Sequence, residues 1–279
     1  MTVLLCDEDR MPQLLAEVQR RHAGASCEVL APQLLKTDAA VADAMPLMFS
    51  RQVLPKGELL LLPSVSAWAR AVVEAAMQRL DETKPWRLHL VPLYGNGRAG
   101  VNRVKLIHDV VKELLQKRRR ALWRTLETSE APFQAETSLV QLVLAAPDAG
   151  VLSVSAAPEP FQARWALSPF PAGEVPVPVD KLAPSRAWTK LAEAQTRLGR
   201  VIRHGESVVD LGACPGGWTY VAVQCGARVV AVDRTELRGD LMSHPAVTFI
   251  RGDAFKFQPD EPADWMVCDV IASPERSVE

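Results

Sequence analysis

Metal, disulfide and membrane signatures are missing from this sequence. Its five cysteines, Cys6, Cys27, Cys214, Cys225 and Cys268, are scattered and odd in number, and no C-x-x-C pair occurs. That spacing argues against a zinc site and against a disulfide framework, so no metal is expected and a reducing cytoplasm is the expected compartment. No apolar run approaches the roughly 20 residues that span a bilayer. The opening MTVLLCDEDRM turns acidic too early for a signal or transit peptide, and no membrane partner is expected. An excess of one charge is missing too: 32 Lys and Arg against 33 Asp and Glu leave a net charge of −1. A polyanionic partner would need a local basic patch.

At 279 residues the length suggests about two domains. Residues 1–6 read as a short buried strand and Met11–Arg21 as an amphipathic helix. Glu58–Leu62 reads as a strand. Ser66–Leu80 has helical periodicity, with Ala67, Ala71, Val72, Ala75 and Ala76 on one side, and Trp86–Pro92 alternates as a strand. Three glycines and Asn96 make Tyr94–Gly100 a loop. Val104–Leu126 is the longest helical segment, with Leu106, Val110, Leu114 and Leu115 on its apolar side. Ser138–Ala145 and Gly150–Ser155 read as paired strands around an APDAG turn. This region, 1–156, is α+β. The proline-rich stretch 157–184 reads as a linker or extended crossing segment, and its Phe161, Trp165, Leu167 and Phe170 imply that it packs onto something. The last region, 185–279, opens with helix Ser185–Leu198. Strands Ser207–Asp210, Arg228–Asp233, Val247–Arg251 and Asp264–Asp269 follow, with a helix from Trp218 after the first. That alternation predicts a parallel sheet with helices on both faces.

The most informative stretch is Val208–Tyr220, VVDLGACPGGWTY. An apolar strand ends at Asp210, and a turn holding Gly212, Pro215, Gly216 and Gly217 leads into a helix. Glycine lets the backbone approach a ligand and present its N–H groups, and such a turn is where open α/β sheets bind nucleotide-like cofactors. Its spacing is neither G-x-G-x-x-G nor a P-loop. This argues against a nicotinamide enzyme and points to an adenosine cofactor without pyrophosphate, S-adenosylmethionine (SAM). Asp233 ends the second strand, where a carboxylate can accept from two ribose hydroxyls. Asp253, just past the third, can accept from an adenine amino group or cap a helix. Asp269 ends the fourth, at the carboxyl edge. No Asn/Asp-Pro-Pro-aromatic tetrapeptide for N-methylation follows it, and no Pro-Cys nucleophile for carbon methylation. Cys268 alternates to the opposite face and reads as core packing.

Together, DLGACPGGWTY, AVD, GDAFKF and WMVCD resemble the ribosomal RNA large subunit methyltransferase M family, and PSRAWTKLAEA at Pro184–Ala194 looks like its usual approach to the catalytic domain. The likeness is specific over Ala183–Pro274 and looser over Met1–Leu182. It implies an α/β fold: a Rossmann-like, FtsJ-type SAM-dependent methyltransferase domain whose sheet is incomplete here, preceded by a smaller α+β, THUMP-like RNA-binding region. It implies methyl transfer to the 2′-hydroxyl of a cytidine in 23S ribosomal RNA, by a cytoplasmic monomer acting before subunit assembly is complete. Carried over residue by residue, it implies that Asp210, Gly212, Cys214, Pro215, Gly216, Gly217, Trp218, Asp233, Asp253 and Asp269 contact or flank SAM. Lys190 matches the first Lys, and Asp269 the Asp, of a Lys-Asp-Lys-Glu tetrad around the target hydroxyl. A ribose hydroxyl is a poor nucleophile, so it must be oriented and its proton removed as the methyl transfers; a lysine with a lowered pKa can act as that base. Without the resemblance, Lys190 reads as a surface lysine on an amphipathic helix. The family's second Lys and its Glu lie on later strands, past Glu279, and its usual Ser is Ala187 here. The alternative is therefore a SAM- and RNA-binding protein of this family without catalysis.

The main basic feature is the predicted helix carrying Lys105, Lys112, Lys117, Arg118, Arg119, Arg120 and Arg124. Lys117–Arg120 and Arg124, with Trp123 close by, can grip RNA phosphates and stack a base, or they form a solvated helix face. A small-molecule methyltransferase is a third reading, and a separate N-terminal module with a basic helix argues against it.

Overall fold

The computed structural model describes residues 1–39, 47–95, 98–128, 136–155, 167–270 and 272. Phe161 and Trp165, with the rest of 157–166, lie outside these. The chain divides into two compact units, Met1–Glu174 and Val175–Glu279.

The first unit is built on two sheets. β1 (Thr2–Leu5), α1 (Met11–Arg21), β2 (Cys27–Ala31), β3 (Leu34–Thr37) and β4 (Gln52–Leu54) give an antiparallel sheet in the order β2-β3-β1-β4. β1 is buried on both faces, which explains its unbroken apolar run. Leu4 joins Leu14 and Val18 of α1, while Val3 and Leu5 join Val91, Val143 and Val151 of the second sheet. That sheet comprises β5 (Glu58–Leu61), β6 (Trp86–Pro92), β7 (Leu126–Glu127), β8 (Ser138–Leu144) and β9 (Ala149–Ser155), ordered β5-β9-β8-β6-β7 and mixed in direction. Its far face is covered by α2 (Val65–Arg79), α3 (Arg98–Arg118) and α4 (Arg120–Thr125), through Trp68, Val72, Ile107, Val111 and Leu122. Two buried amides between the sheets are closed by main chain. Gln141 Nε2 donates to Val53 O at 2.9 Å. Gln52 and Ser168 exchange two hydrogen bonds, of 3.1 and 2.7 Å, stapling the start of the described proline-rich stretch to β4.

The helices differ in detail from their predicted faces. On α2 the buried residues are Trp68, Ala69, Val72, Val73, Ala75 and Ala76, so the face is rotated from the predicted one. α3 begins at Arg98, inside the predicted loop. Gly100 is what lets it start there, because a Cβ would lie 2.6 Å from Tyr94 O and 2.8 Å from Pro92 Cβ. Ile107, Val111 and Leu115 line its buried face, and Leu106 is 55 % exposed. The predicted single helix breaks at Arg119 (φ −144°, ψ 63°), after which α4 buries Leu122 and turns its carbonyl to Trp86 Nε1 at 2.8 Å.

The second unit contains α5 (Trp188–Leu198), β10 (Ser207–Leu211), α6 (Gly217–Gln224), β11 (Arg228–Asp233), α7 (Gly239–Met242), β12 (Val247–Arg251) and β13 (Trp265–Cys268). The helix predicted from Ser185 starts three residues later and is stopped by Gly199 at φ +61°. All four strands are parallel, ordered β12-β11-β10-β13. Helices on both faces were predicted; the three described ones pack on one face only, through Leu191, Val221, Ala222 and Leu241 against Val208, Val229 and Val267. The cause is topological. Right-handed crossovers through α6 and α7 both step from β10 toward β12 and stay on one side, and the connection to β13 carries only a 3-10 turn, Ala254–Lys256. Met266 is accordingly 72 % exposed. Cys268 shares that uncovered face and is exposed, so its predicted core role is corrected.

Candidate active site

Strand order reverses between β10 and β13: the chain adds β11 and β12 on one side of β10 and then returns to lay β13 on the other, and such a switch point is where open parallel sheets leave a crevice past their carboxyl ends. A cavity of about 400 Å³ lies there, lined by Gly212, Cys214, Asp233, Asp253 and Asp269 among others. The glycine-rich turn is shaped by its neighbours. Gly212 has φ +77°, and a Cβ on it would lie 2.9 Å from Val270 Cγ2. Gly216 has φ +108°, and a Cβ would collide with Leu241 Cδ1; on Gly217 it would lie 2.8 Å from Ser185 Oγ. Gly216 and Gly217 thus bring α6 against α7 and the start of α5. Trp218 continues this packing, donating from Nε1 to Ala187 O at 2.7 Å. Pro215, whose bond to Cys214 is cis, offers its carbonyl to Arg238 N at 3.1 Å.

The carboxylates divide into one buried and three open. Asp210, 1 % exposed, does not line the cavity; its Oδ2 accepts from Thr219 N at 2.9 Å and Thr219 Oγ1 at 2.7 Å, fixing the start of α6. Burial pushes its pKa up to about 6, the Thr219 donors oppose the shift, and the charges of Asp269 and Asp233 add to it. Asp233 accepts from Cys214 N at 3.0 Å and from Thr235 N at 2.8 Å, so it holds the glycine-rich turn from the end of β11. Asp253 caps the 3-10 turn through Phe255 N at 3.1 Å and pairs with Arg234 Nη2 at 2.7 Å. The Arg234 hydrogen bond, then the Phe255 amide, hold its carboxyl below the usual range. Of the two readings of Asp253 the structure shows the cap, and the residue also lines the cavity. Asp269 receives Lys190 Nζ at 2.8 and 3.0 Å on its two oxygens. Lys190 is therefore brought from α5 to the end of β13, a pairing across 79 positions that periodicity alone does not suggest. Sequence reasoning passed over Arg234, Phe255 and Val270, which also line the cavity; for Arg234 the only signal was adjacency to Asp233.

Residues 183–278 match the sequence model described as FtsJ-like methyltransferase. These residues belong to the FtsJ-like methyltransferase family. Curated relatives named Ribosomal RNA large subunit methyltransferase M agree. The protein of Laribacter hongkongensis (strain HLHK9) is 40 % identical over 122 residues, covering 42 % of this chain and 34 % of that protein. That of Methylococcus capsulatus is 36 % identical over 182 residues, covering 58 % and 52 %. The chain thus spans about a third to a half of the length of these relatives. The methyl donor of the family is S-adenosylmethionine, and the cavity fits it. Its volume lies in the range of small-molecule sites, and carboxylates stand at the end of β11 and past β12, acceptors of the kind that hydroxyl and amino donors need.

The predicted RNA-binding residues lie in the first unit, exposed at the α3–α4 junction. Lys117 pairs with Glu113 at 2.5 Å, and Arg119 Nε points to Met77 Sδ at 3.0 Å. Arg118, Arg120 and Arg124 make no ion pair among the described residues. Trp123 packs partly into the core beneath α3, which limits it as a stacking platform.

Proposed function

We propose that this protein takes part in methylating a ribose 2′-hydroxyl of ribosomal RNA, at a cytidine of 23S RNA. The Lys190–Asp269 pair at the cavity carries this reading. S-adenosylmethionine, when bound, supplies an electrophilic methyl group. Asp269 holds the Lys190 ammonium at the carboxyl edge, from which Nζ can donate to the ribose oxygen and orient one lone pair along the line of transfer. Asp233 and Asp253 secure the adenosine end, and the glycine-rich turn supplies main-chain groups close to the ligand. The family likeness adds a second Lys, which would take the hydroxyl proton as the new O–CH3 bond forms and the S–CH3 bond of the donor breaks, and a Glu to the tetrad. In the same reading 1–156 is a THUMP-like RNA-binding region, 157–184 connects it to the methyltransferase region 185–279, and Arg118, Arg120 and Arg124 with Lys117 and Arg119 meet RNA phosphates. The protein acts as a cytoplasmic monomer on RNA not yet packed into a complete subunit; no described helix is long and apolar enough to cross a membrane.

The test is methyl transfer from tritiated SAM to 23S RNA, followed by nucleoside mass spectrometry. The expected product is 2′-O-methylcytidine, lost by at least 100-fold in Lys190→Ala and Asp269→Asn. Label on a base would overturn the ribose assignment. SAM binding with no transfer to RNA would favour a binding protein.

A further inference from the structure

Arg234 has no role in the reading above, yet it stands on the cavity. It follows Asp233 at the end of β11, and its guanidinium reaches past the end of β12 to Asp253 Oδ2, 2.7 Å away. Its backbone is fixed on both sides. Thr235 N donates to Asp233 Oδ1 at 2.8 Å, and the Arg234 carbonyl accepts from Arg251 Nη1 at 3.3 Å, with Arg251 itself paired to Glu236 at 2.6 Å. The side chain is 76 % exposed, but it lines the cavity together with Asp233, Asp253 and Phe255. A planar cation therefore bridges the two strand ends between which adenosine must lie if Asp233 takes the ribose and Asp253 the adenine amino group. A guanidinium is weakly hydrated and stacks on aromatic faces. A carboxylate oxygen has two lone pairs, so Asp253 Oδ2 can keep Arg234 and still accept a further donor.

We propose that Arg234 is an adenosine-positioning residue: its guanidinium, oriented by Asp253, forms one wall of the cavity against the purine. This rests on the reading of the cavity as the SAM site. The opposite arrangement, a plug that adenosine must displace, predicts the opposite sign on removal.

The experiment is isothermal calorimetry of the whole chain with S-adenosylhomocysteine and, separately, with adenosine. Arg234→Ala is expected to weaken both by the same factor, about tenfold, because the guanidinium meets the half they share. Arg234→Lys keeps the charge but not the plane and recovers less than half of the loss on a logarithmic scale. Three results overturn the wall and leave the cofactor site standing: unchanged or tighter binding in Arg234→Ala, a loss for S-adenosylhomocysteine but not adenosine, or full recovery by Lys. If the unaltered chain binds neither ligand, the SAM reading falls and the wall with it.

Discussion

Two buried amides of the first unit and three carboxylates of the second stand in different settings. Between the sheets of the first, each amide is closed by main chain: Gln141 reaches Val53 O and Gln52 pairs with Ser168. In the second, carboxylates collect at the ends of parallel strands, and Asp233, Asp253 and Asp269 keep lone pairs toward a cavity although each already has a partner. A closed amide specifies packing. A carboxylate with acceptor capacity left over, at a strand end, can take on a ligand's donors without losing its own. The difference separates a region that carries surface charge on a finished core from one whose chemistry lies at the edge of its sheet.

Removing one group from each side is the sharpest way to break this comparison. Asp233→Ala removes the acceptor at the end of β11 and the hold on Cys214 N, so SAM affinity measured by calorimetry should fall by at least 100-fold; unchanged affinity would strip Asp233 of its role. Gln141→Leu should leave SAM affinity unaltered and lower stability by about 1–3 kcal/mol in urea unfolding, the cost of a main-chain acceptor left unpaired. Gly216→Ala combines a left-handed backbone with a clash against Leu241 and should cost about 2–4 kcal/mol by the same measurement. A loss below about 0.5 kcal/mol, the ordinary scatter of surface substitutions, would mean that α7 gives way easily.

Legibility in the sequence followed the same division. Strand ends bearing Asp233 and Asp269, and the turn between Asp210 and Trp218, were readable because glycine spacing and alternation report directly on backbone geometry. The same holds for α1 and β6, whose bounds match their periodicity. β2, β3 and β4 were not readable: β2 is half exposed and β4 has three residues, too little pattern for a period of two. Gly100 misled because a glycine needed for close helix–strand packing looks like a loop glycine. Arg234 left no trace beyond its adjacency to Asp233, since its reach to Asp253 depends on β11 and β12 being neighbours.

Asp210 sharpens the contrast among the carboxylates through pH. Its folded pKa of about 6 lies above the ordinary 3.8, so the folded state binds the proton more tightly than the unfolded chain. The associated stability is fully present below the unfolded value and is lost as pH rises through about 6, an amount on the order of 2–3 kcal/mol. Urea unfolding between pH 4 and 7 should show this decline, and Asp210→Asn should abolish it. Affinity for the cationic donor should move the other way, rising as the carboxylate ionises. A flat stability profile in the unaltered protein would mean that Thr219 offsets burial fully.

The smallest expected effect concerns the basic junction of the first unit, and it separates free cations from occupied ones. Arg118, Arg120 and Arg124 are unpaired among the described residues, whereas Lys117 is held by Glu113 one helical turn away. Only free cations release counterions in proportion when they meet phosphates. The triple replacement of the arginines by Ala should therefore weaken ribosomal RNA binding about tenfold and reduce the slope of log affinity against log salt by about 0.7–0.9 for each phosphate that is no longer neutralised. Lys117→Ala should change affinity by less than about twofold, the scale of an exposed ion pair that already screens its charge. If Lys117→Ala weakens binding as much as the arginines do, the ion pair opens on RNA and all the cations of the junction act together. If the triple variant leaves the salt slope unchanged, this face of α3 and α4 is solvated surface, and RNA must be met elsewhere on the first unit.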